Sequence, residues 1–229
     1  RSLRERIVAR LRRAIITGDL APKSRLIEPQ LARQLNVSRT PLREAIRQPE
    51  AEGFVTTVPR FGSFVSEITP QDAEDLYAIR SVIEGLAARQ AAESQDDAKR
   101  VVLGGILSDL AKRTADYRQY HEISGRFHDV IVELSGNRRL QGIYQSLAQH
   151  VSRLRTVSLA VRGRPKISLR GHRRIAAAIL RGRGAEAERA MREHIEAAYG
   201  VLKRTVPGST KRRARGSAGT GAHQRRRAQ

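Results

Sequence analysis

The stretch Val37-Ser38-Arg39-Thr40-Pro41-Leu42-Arg43-Glu44-Ala45-Ile46-Arg47 leaves the chain few ways to fold. At helical periodicity Leu42, Ala45 and Ile46 share one side, while Arg39, Arg43 and Arg47 recur every four residues on another. Ser38 or Thr40 can cap the start by accepting a bond from a free backbone N–H. Pro41 is tolerated in a first turn, where its missing N–H has no helical partner. Upstream, Ile27, Leu31 and Leu35 form the stripe of a shorter helix, and Asn36-Val37 separates the two. Two short helices joined by a tight turn make a helix-turn-helix, whose second member enters the DNA major groove.

Taken alone, three arginines on a helix read equally well as a solvated face. The residues that follow shift the balance. Phe54-Val55-Thr56-Thr57-Val58 and Ser63-Phe64-Val65 are strand-like, and Pro59-Arg60-Phe61-Gly62 between them carries turn chemistry. This predicts a wing with Arg60 at its tip, a second contact to backbone or minor groove beside a major-groove reader. Leu3, Ile7, Leu11 and Ala14/Ile15 predict a first helix packed beneath it, ended by Gly18, with Arg6, Arg10 and Arg13 either solvated or reaching phosphates.

Leu31-Ala32, Val37 to Ala45, Glu52-Gly53 and Gly62-x-x-Val65 together resemble the winged helix-turn-helix of GntR-type bacterial transcription regulators. The resemblance implies that Ser38, Arg39, Thr40 and Arg43 contact phosphates and base edges, and that Gly62 lets the wing approach DNA closely. Relatives usually carry leucine at Pro49. A proline inside a helix removes one N–H and clashes with the preceding turn, at about 3 kcal/mol, so the helix is expected to end or kink near Gln48. Pro29 stands where relatives often carry a polar or basic DNA contact. Lys23 stands where they commonly have glycine, which makes a left-handed backbone there less comfortable.

Beyond Ser66-Glu67-Ile68, Thr69-Pro70 opens a region with no strand signal of any length. Helices are expected over 70–93, 96–114, 116–135, 138–161, 166–182 and 185–204. The breaks fall at Ser94-Gln95, Gly136-Asn137, Gly163-Arg164-Pro165 and Gly182-Arg183-Gly184. Leu76, Ile79, Ile83 and Leu86/Ala87 give the expected core stripe of the first. The fold class is therefore mainly α: a winged helix-turn-helix over 1–66, an all-α bundle over 69–205, and a disordered basic tail over 207–229.

The net charge of +21 suggests a polyanionic partner, but its distribution weakens that inference. Residues 203–229 hold nine basic and no acidic side chains, nearly half the excess. Cysteine is absent, which excludes disulfides and thiolate metal sites. There is no apolar run of about 18 residues and no secretory h-region, and together these features read as a cytoplasmic chain without membrane association.

Among six histidines, His128, His172 and His194 fall on three different expected helices. Spacing alone cannot bring them together. Phe127-His128, Ser135-Gly136-Asn137, His172-x-x-Ile175-x-x-Ala178-Ile179 and Ala190-Met191-x-x-His194-Ile195 resemble the FCD ligand-binding domain of FadR-subfamily regulators. There, three histidines and an aspartate one turn before the first commonly hold a divalent metal. The resemblance puts His128, His172 and His194 in the ligand positions and Ser124 in the aspartate position. It thus implies a weakened Zn²⁺ or Ni²⁺ site for a small organic acid. It also places Arg80 toward the effector, against an alternative in which Arg80 and Glu84 are an exposed i,i+4 pair. Asn137 either adds a polar contact or caps a turn.

The resulting expectation is a homodimeric, non-enzymatic regulator, a repressor that binds a double-stranded operator and responds to a small carboxylate. A nonspecific basic nucleic-acid binder and a metal-dependent hydrolase are the competing readings.

Overall fold

The computed structural model describes residues 2–94 and 96–205, so the expected Gln95 break and the 207–229 tail lie outside the described residues. Helix α1 spans Leu3–Thr17. Ser2 caps it reciprocally with Glu5, and Gly18 ends it at φ 83°, a left-handed turn that glycine adopts without strain. Helices α2 (Glu28–Leu35) and α3 (Arg39–Ala51) follow, joined through Asn36 at φ 54°. Ser38 occupies the N-cap of α3, but its side chain makes no capping bond, contrary to expectation. Leu42, Ala45 and Ile46 are buried with Ile7, Leu11 and Ile15 in one hydrophobic cluster.

Pro49 does not end the helix at Gln48. Helix α3 continues to Ala51 with Pro49 buried inside it. The proline lies in the last turn, so it removes only one bond near an end that is closed by other means. Glu52 N–H donates to Gln48 (3.0 Å), Gly53 N–H to Glu50 (3.0 Å) and Phe54 N–H to Pro49 (2.8 Å).

Strands β1 (Val55–Val58) and β2 (Gly62–Val65) pair antiparallel, Val55 opposite Val65 and Val58 opposite Gly62. The segment before α2 adds a short third edge, with Leu26 N–H donating to Ser63 (2.8 Å) and Val65 N–H to Ser24 (2.9 Å). Lys23 donates to the Val65 carbonyl (2.9 Å) and does adopt the left-handed conformation, at φ 65°. A residue with a Cβ costs about 1–2 kcal/mol there, and the exposed Lys23–Glu67 ion pair offsets little of it. Lys23→Gly is therefore expected to stabilise by about 1 kcal/mol and raise the thermal midpoint by about 2–4 °C. An unchanged or lower midpoint by calorimetry would contradict this.

The helical unit comprises α4 (Pro70–Glu93), α5 (Asp97–Lys112), α6 (Tyr117–Leu134), α7 (Arg138–Leu159), α8 (Arg164–Leu180) and α9 (Gly184–Thr205). These bounds follow the expected helices closely, except that Arg164 and Pro165 open α8 instead of breaking the chain. The expected core stripe of α4 holds in part: Ala87 is buried, and Leu76 and Ile83 are partly buried against the core. Ile79 and Leu86 are exposed, and the buried face is Ala73, Tyr77, Arg80, Glu84, Ala87, Ala88 and Ala91. Alanines let α9 pack close, and Gly85 leaves room for Arg192, whose Cγ would lie 3.1 Å from an added Cβ. A second, separate hydrophobic cluster fills this unit around Tyr120, Phe127, Ile131, Ile175 and Met191.

Helix α7 joins the two units. His150 stacks on Phe54 at 4.4 Å between ring centroids, and Arg153 donates to the Ser66 carbonyl. No described helix is long and apolar enough to cross a membrane.

Candidate DNA-reading face and buried histidine site

On α3 the buried positions are Leu42, Ala45, Ile46 and Pro49, which turns Arg39, Arg43 and Arg47 to solvent together. Ser38 and Thr40 are exposed at the start of the same helix. Arg43 donates to Glu28 of α2 (Nη2–Oε2, 2.9 Å), and that bond raises its pKa above the ordinary guanidinium value. Arg39 and Arg47 have no ion-pair partner among the described residues. The pair Arg43–Glu28 is solvent-exposed on the arginine side, so a phosphate or base edge can replace Glu28 at small cost.

The wing turn is closed by Phe61 N–H donating to the Val58 carbonyl (3.0 Å), with Pro59 and Arg60 at its centre. Arg60 has φ 66°, where glycine or asparagine is the usual choice. An arginine kept in that strained position at an exposed tip suits a contact that glycine could not make. Gly62, at φ 101°, has a local reason as well: a Cβ there would sit 3.2 Å from Arg25 Nε.

In the helical unit, α6, α8 and α9 bring His128, His172 and His194 together, with one ligand nitrogen from each lying within 4.8 Å of the others. His128 and His172 are buried; His194 retains some exposure, yet its ring lies 4.5 Å from that of His172. The outer contacts are also protein groups. His128 Nδ1 approaches Glu84 Oε2 at 2.6 Å, and His172 Nδ1 bonds Tyr120 Oη at 3.0 Å. Both Nε2 atoms therefore point inward, 3.4 Å apart. Two ligands of a tetrahedral ion with about 2.05 Å bonds would stand roughly 3.3 Å apart, the spacing His128 and His172 already have, with a His194 nitrogen within 4.8 Å of both. Gly171 makes the arrangement possible, since a Cβ at that position would fall 2.4 Å from His194 Nδ1.

Ser124 is buried on the same face of α6 as His128. Arg80 is not an exposed partner of Glu84: both are buried, with Arg80 Nε donating to Glu84 Oε1 at 2.7 Å. Burial opposes the Glu84 charge, but Arg80 and His128 outweigh it and hold the carboxyl below the usual range. Burial likewise opposes Arg80, and Glu84 outweighs it. Burial depresses His128, with Glu84 partly opposing, and depresses His172 and His194 further, with neighbouring histidines and arginines adding to it. Asn137 caps α7 by accepting from Leu140 N–H (3.1 Å), and its amide donates to Gln90 (3.3 Å).

Sequence reasoning missed Tyr120, Gly171 and two further arginines. Arg155 and Arg164 are 7% and 3% exposed and line the same small cavity as Arg80, Ser124 and His194. Their only advance signal was position: Arg155 sits on a helix face between Leu154 and Leu159, and Arg164 stood in what read as a loop.

His121 bonds the Ser152 carbonyl through Nε2 at 2.9 Å and is pushed down to about 4 by burial, then by Arg155. A depressed histidine is neutral when folded, so the unfolded chain binds the extra proton. Its contribution is complete above about pH 6.5 and is lost as pH falls toward 4. The loss from His121 alone is expected to reach about 2 kcal/mol at pH 5, with the three clustered histidines adding in the same direction. Urea unfolding at pH 7.5 and pH 5 checks it, and equal midpoints would contradict it.

Residues 3–65 match the family model for bacterial regulatory proteins of the gntR family, and residues 75–197 match the FCD domain. An HTH-type transcriptional regulator in an unstable DNA locus of Streptomyces ambofaciens is 30% identical over 207 residues, 89% of this chain and 86% of that protein. The HTH-type transcriptional repressor RspR of Escherichia coli strain K12 is 28% identical over 188 residues, 81% and 82% of the two chains. The solved structure of E. coli McbR/YncC shares the fold, with a TM-score of 0.77 at 20% identity over 89% of this chain and 98% of that one. With a winged reader ahead of a helical FCD unit, the chain belongs to the GntR family and is a DNA-binding regulator of transcription.

Proposed function

We propose that the chain is a homodimeric repressor. Its operator affinity is set by a small anionic effector bound in the helical unit over 69–205 and read out by the winged unit over 1–66. Ser38, Arg39, Thr40, Arg43 and Arg47 would face the major groove, and Arg60 and Gly62 the backbone beside it. The observation that carries the reading is α7. One helix holds Arg155 in the buried cavity, and His150 and Arg153 against Phe54 and Ser66 of the reader. A ligand that favours one placement of α7 thereby favours one placement of the reader. The repressor sense is supported by relatives that are named repressors. Dimerisation is supported by the exposed apolar row Ile79, Val82 and Leu86 on α4, spaced three and four residues apart.

His128, His172 and His194 would hold a Zn²⁺ or Ni²⁺ ion, which supplies a positive centre with open positions for a carboxylate. Serine at position 124 in place of a charged ligand weakens that hold. Gly171→Ala forces His194 out of the cluster, so the variant is expected to lose the thermal shift that Zn²⁺ gives the chelator-treated wild type. No shift in either protein would remove the metal from the reading. The operator claim is tested by competition. Binding to a promoter fragment should survive excess random DNA, whereas a nonspecific basic binder would be displaced.

A further inference from the structure

Of the four phenylalanines, Phe54 and Phe127 are buried in the two cores and Phe64 is half-buried, but Phe61 is 66% exposed at the tip of the wing. It belongs to neither hydrophobic cluster. Val58 beside it is 40% exposed and Pro59 is exposed as well, so the tip is apolar. Nothing in the turn requires an aromatic ring there. The left-handed residue is Arg60, and Phe61 closes the turn only through its backbone N–H, which donates to Val58.

The tip is stiff. Pro59 followed by a residue at φ 66°, with an N–H of the fourth residue donating to the carbonyl of the first, is the pattern of a type II turn, and proline fixes its first corner in advance. Behind it the Thr57 and Ser63 hydroxyls bond across the strands at 3.0 Å, and those of Thr56 and Ser66 at 2.9 Å. The surroundings are cationic. Arg60 precedes Phe61, exposed Arg25 lies against Gly62, and no acid occurs between Glu52 and Glu67. The tip also continues the arginine row, since β1 follows α3 after a short turn. An apolar point between two guanidiniums suits a duplex: the arginines grip phosphates, and the ring meets the flat faces of bases once a step is opened. A second copy of this tip would carry the same cations and repel it.

We propose that Phe61 is a wedge that enters the minor groove, opens one base-pair step and kinks the duplex there. This rests on the wing facing DNA. Pyrimidine–purine steps unstack most readily, so the regulator selects operators with such a step beneath the wing through deformability, without hydrogen bonds to base edges at that place.

The test uses the full chain and a duplex spanning the footprinted promoter site, labelled at both ends for energy transfer. 2-Aminopurine replaces adenine in turn at the pyrimidine–purine steps beneath the wing. The wild type is expected to shorten the end-to-end distance and to brighten the probe at one step. Phe61→Ser should abolish both and lower affinity about tenfold, with an unchanged salt slope because no phosphate contact is lost. Phe61→Leu, which keeps an apolar wedge, should restore most of the kink. Exchanging the step for a purine–pyrimidine step should weaken the wild type about tenfold and Phe61→Ser less than about twofold. Both variants should melt within about 2 °C of wild type, since neither removes a core side chain. A kink or a step preference that persists in Phe61→Ser would overturn the proposal, as would an affinity loss accompanied by a shallower salt slope. Unchanged DNA binding with a lower oligomeric state by sedimentation would make the tip a contact between copies, and the proposal would fall. Arg60→Gly, which removes the cation and suits the left-handed turn, separates the remaining cases. If it weakens binding while Phe61→Ser alters neither affinity nor kink, the wedge falls and the wing contact stands. If neither variant alters binding, the wing does not face DNA and both fall.

Discussion

Alanine at both Arg39 and Arg43 is expected to lower affinity for a promoter fragment by on the order of a hundredfold or more and to erase footprints, while the protein stays folded. Both side chains project from the face of α3 opposite Leu42, Ala45 and Ile46, so truncation opens no cavity and exposes no core. Arg43 leaves behind only Glu28, which is partly exposed and solvated by water. If either arginine grips a phosphate, the slope of binding against salt should also fall by about one for each phosphate no longer gripped. Circular dichroism confirms the fold, and anisotropy at two salt concentrations measures the binding. Retained footprints would remove α3 from the interface and leave the wing, with Arg60, as the main contact.

Glu84→Gln is expected to have the largest effect on stability. The carboxylate is the counter-charge of buried Arg80 at 2.7 Å and the partner of His128 Nδ1 at 2.6 Å. An amide keeps the shape and loses the charge, leaving Arg80, Arg155 and Arg164 around one cavity with no buried carboxylate among the described residues. Breaking a buried pair from one side costs about 3–5 kcal/mol. The thermal midpoint should fall by roughly 6–20 °C. Because Glu84 is held below the ordinary carboxylate range, its contribution persists above the unfolded value near 4.5 and disappears only as pH falls through the lower folded value. Loss of stability between pH 6.5 and 5 therefore belongs to the histidines and should appear in Glu84→Gln as well. A midpoint within about 2 °C of wild type would show that Arg80 needs no counter-charge.

The reader was legible in the sequence because its determinants are local. Period-3.6 apolar spacing with arginines opposite made α3, and Pro59-Arg60-Phe61-Gly62 between β-branched runs made the wing. Even the misplaced helix end at Pro49 was local in origin. Proline chemistry gave the missing hydrogen bond correctly, and only the closure of the last turn by Glu52, Gly53 and Phe54 showed that the helix could absorb it.

Helix α4 misled in part, at Ile79 and Leu86, for the converse reason. Its isoleucine and leucine spacing satisfied helical periodicity, but two faces of this helix are apolar enough to be buried, and only packing against α9 chose the alanine face. For Arg80 and Glu84 an exposed pair at four-residue spacing and an Arg80 turned to the effector stayed equally open, because nothing in one helix shows what stands opposite it. Residue types and helical periods alone settled the helices and the arginine row, and the resemblance to the FCD domain singled out the three candidate histidines. Tertiary packing decided that those histidines meet, that Glu84 and Tyr120 orient them, that Gly171 makes room, and that Arg155 and Arg164 lie buried with no ion pair among the described residues. Those facts depend on residues tens of positions apart, whose proximity follows from how whole helices dock and cannot be read from any single segment.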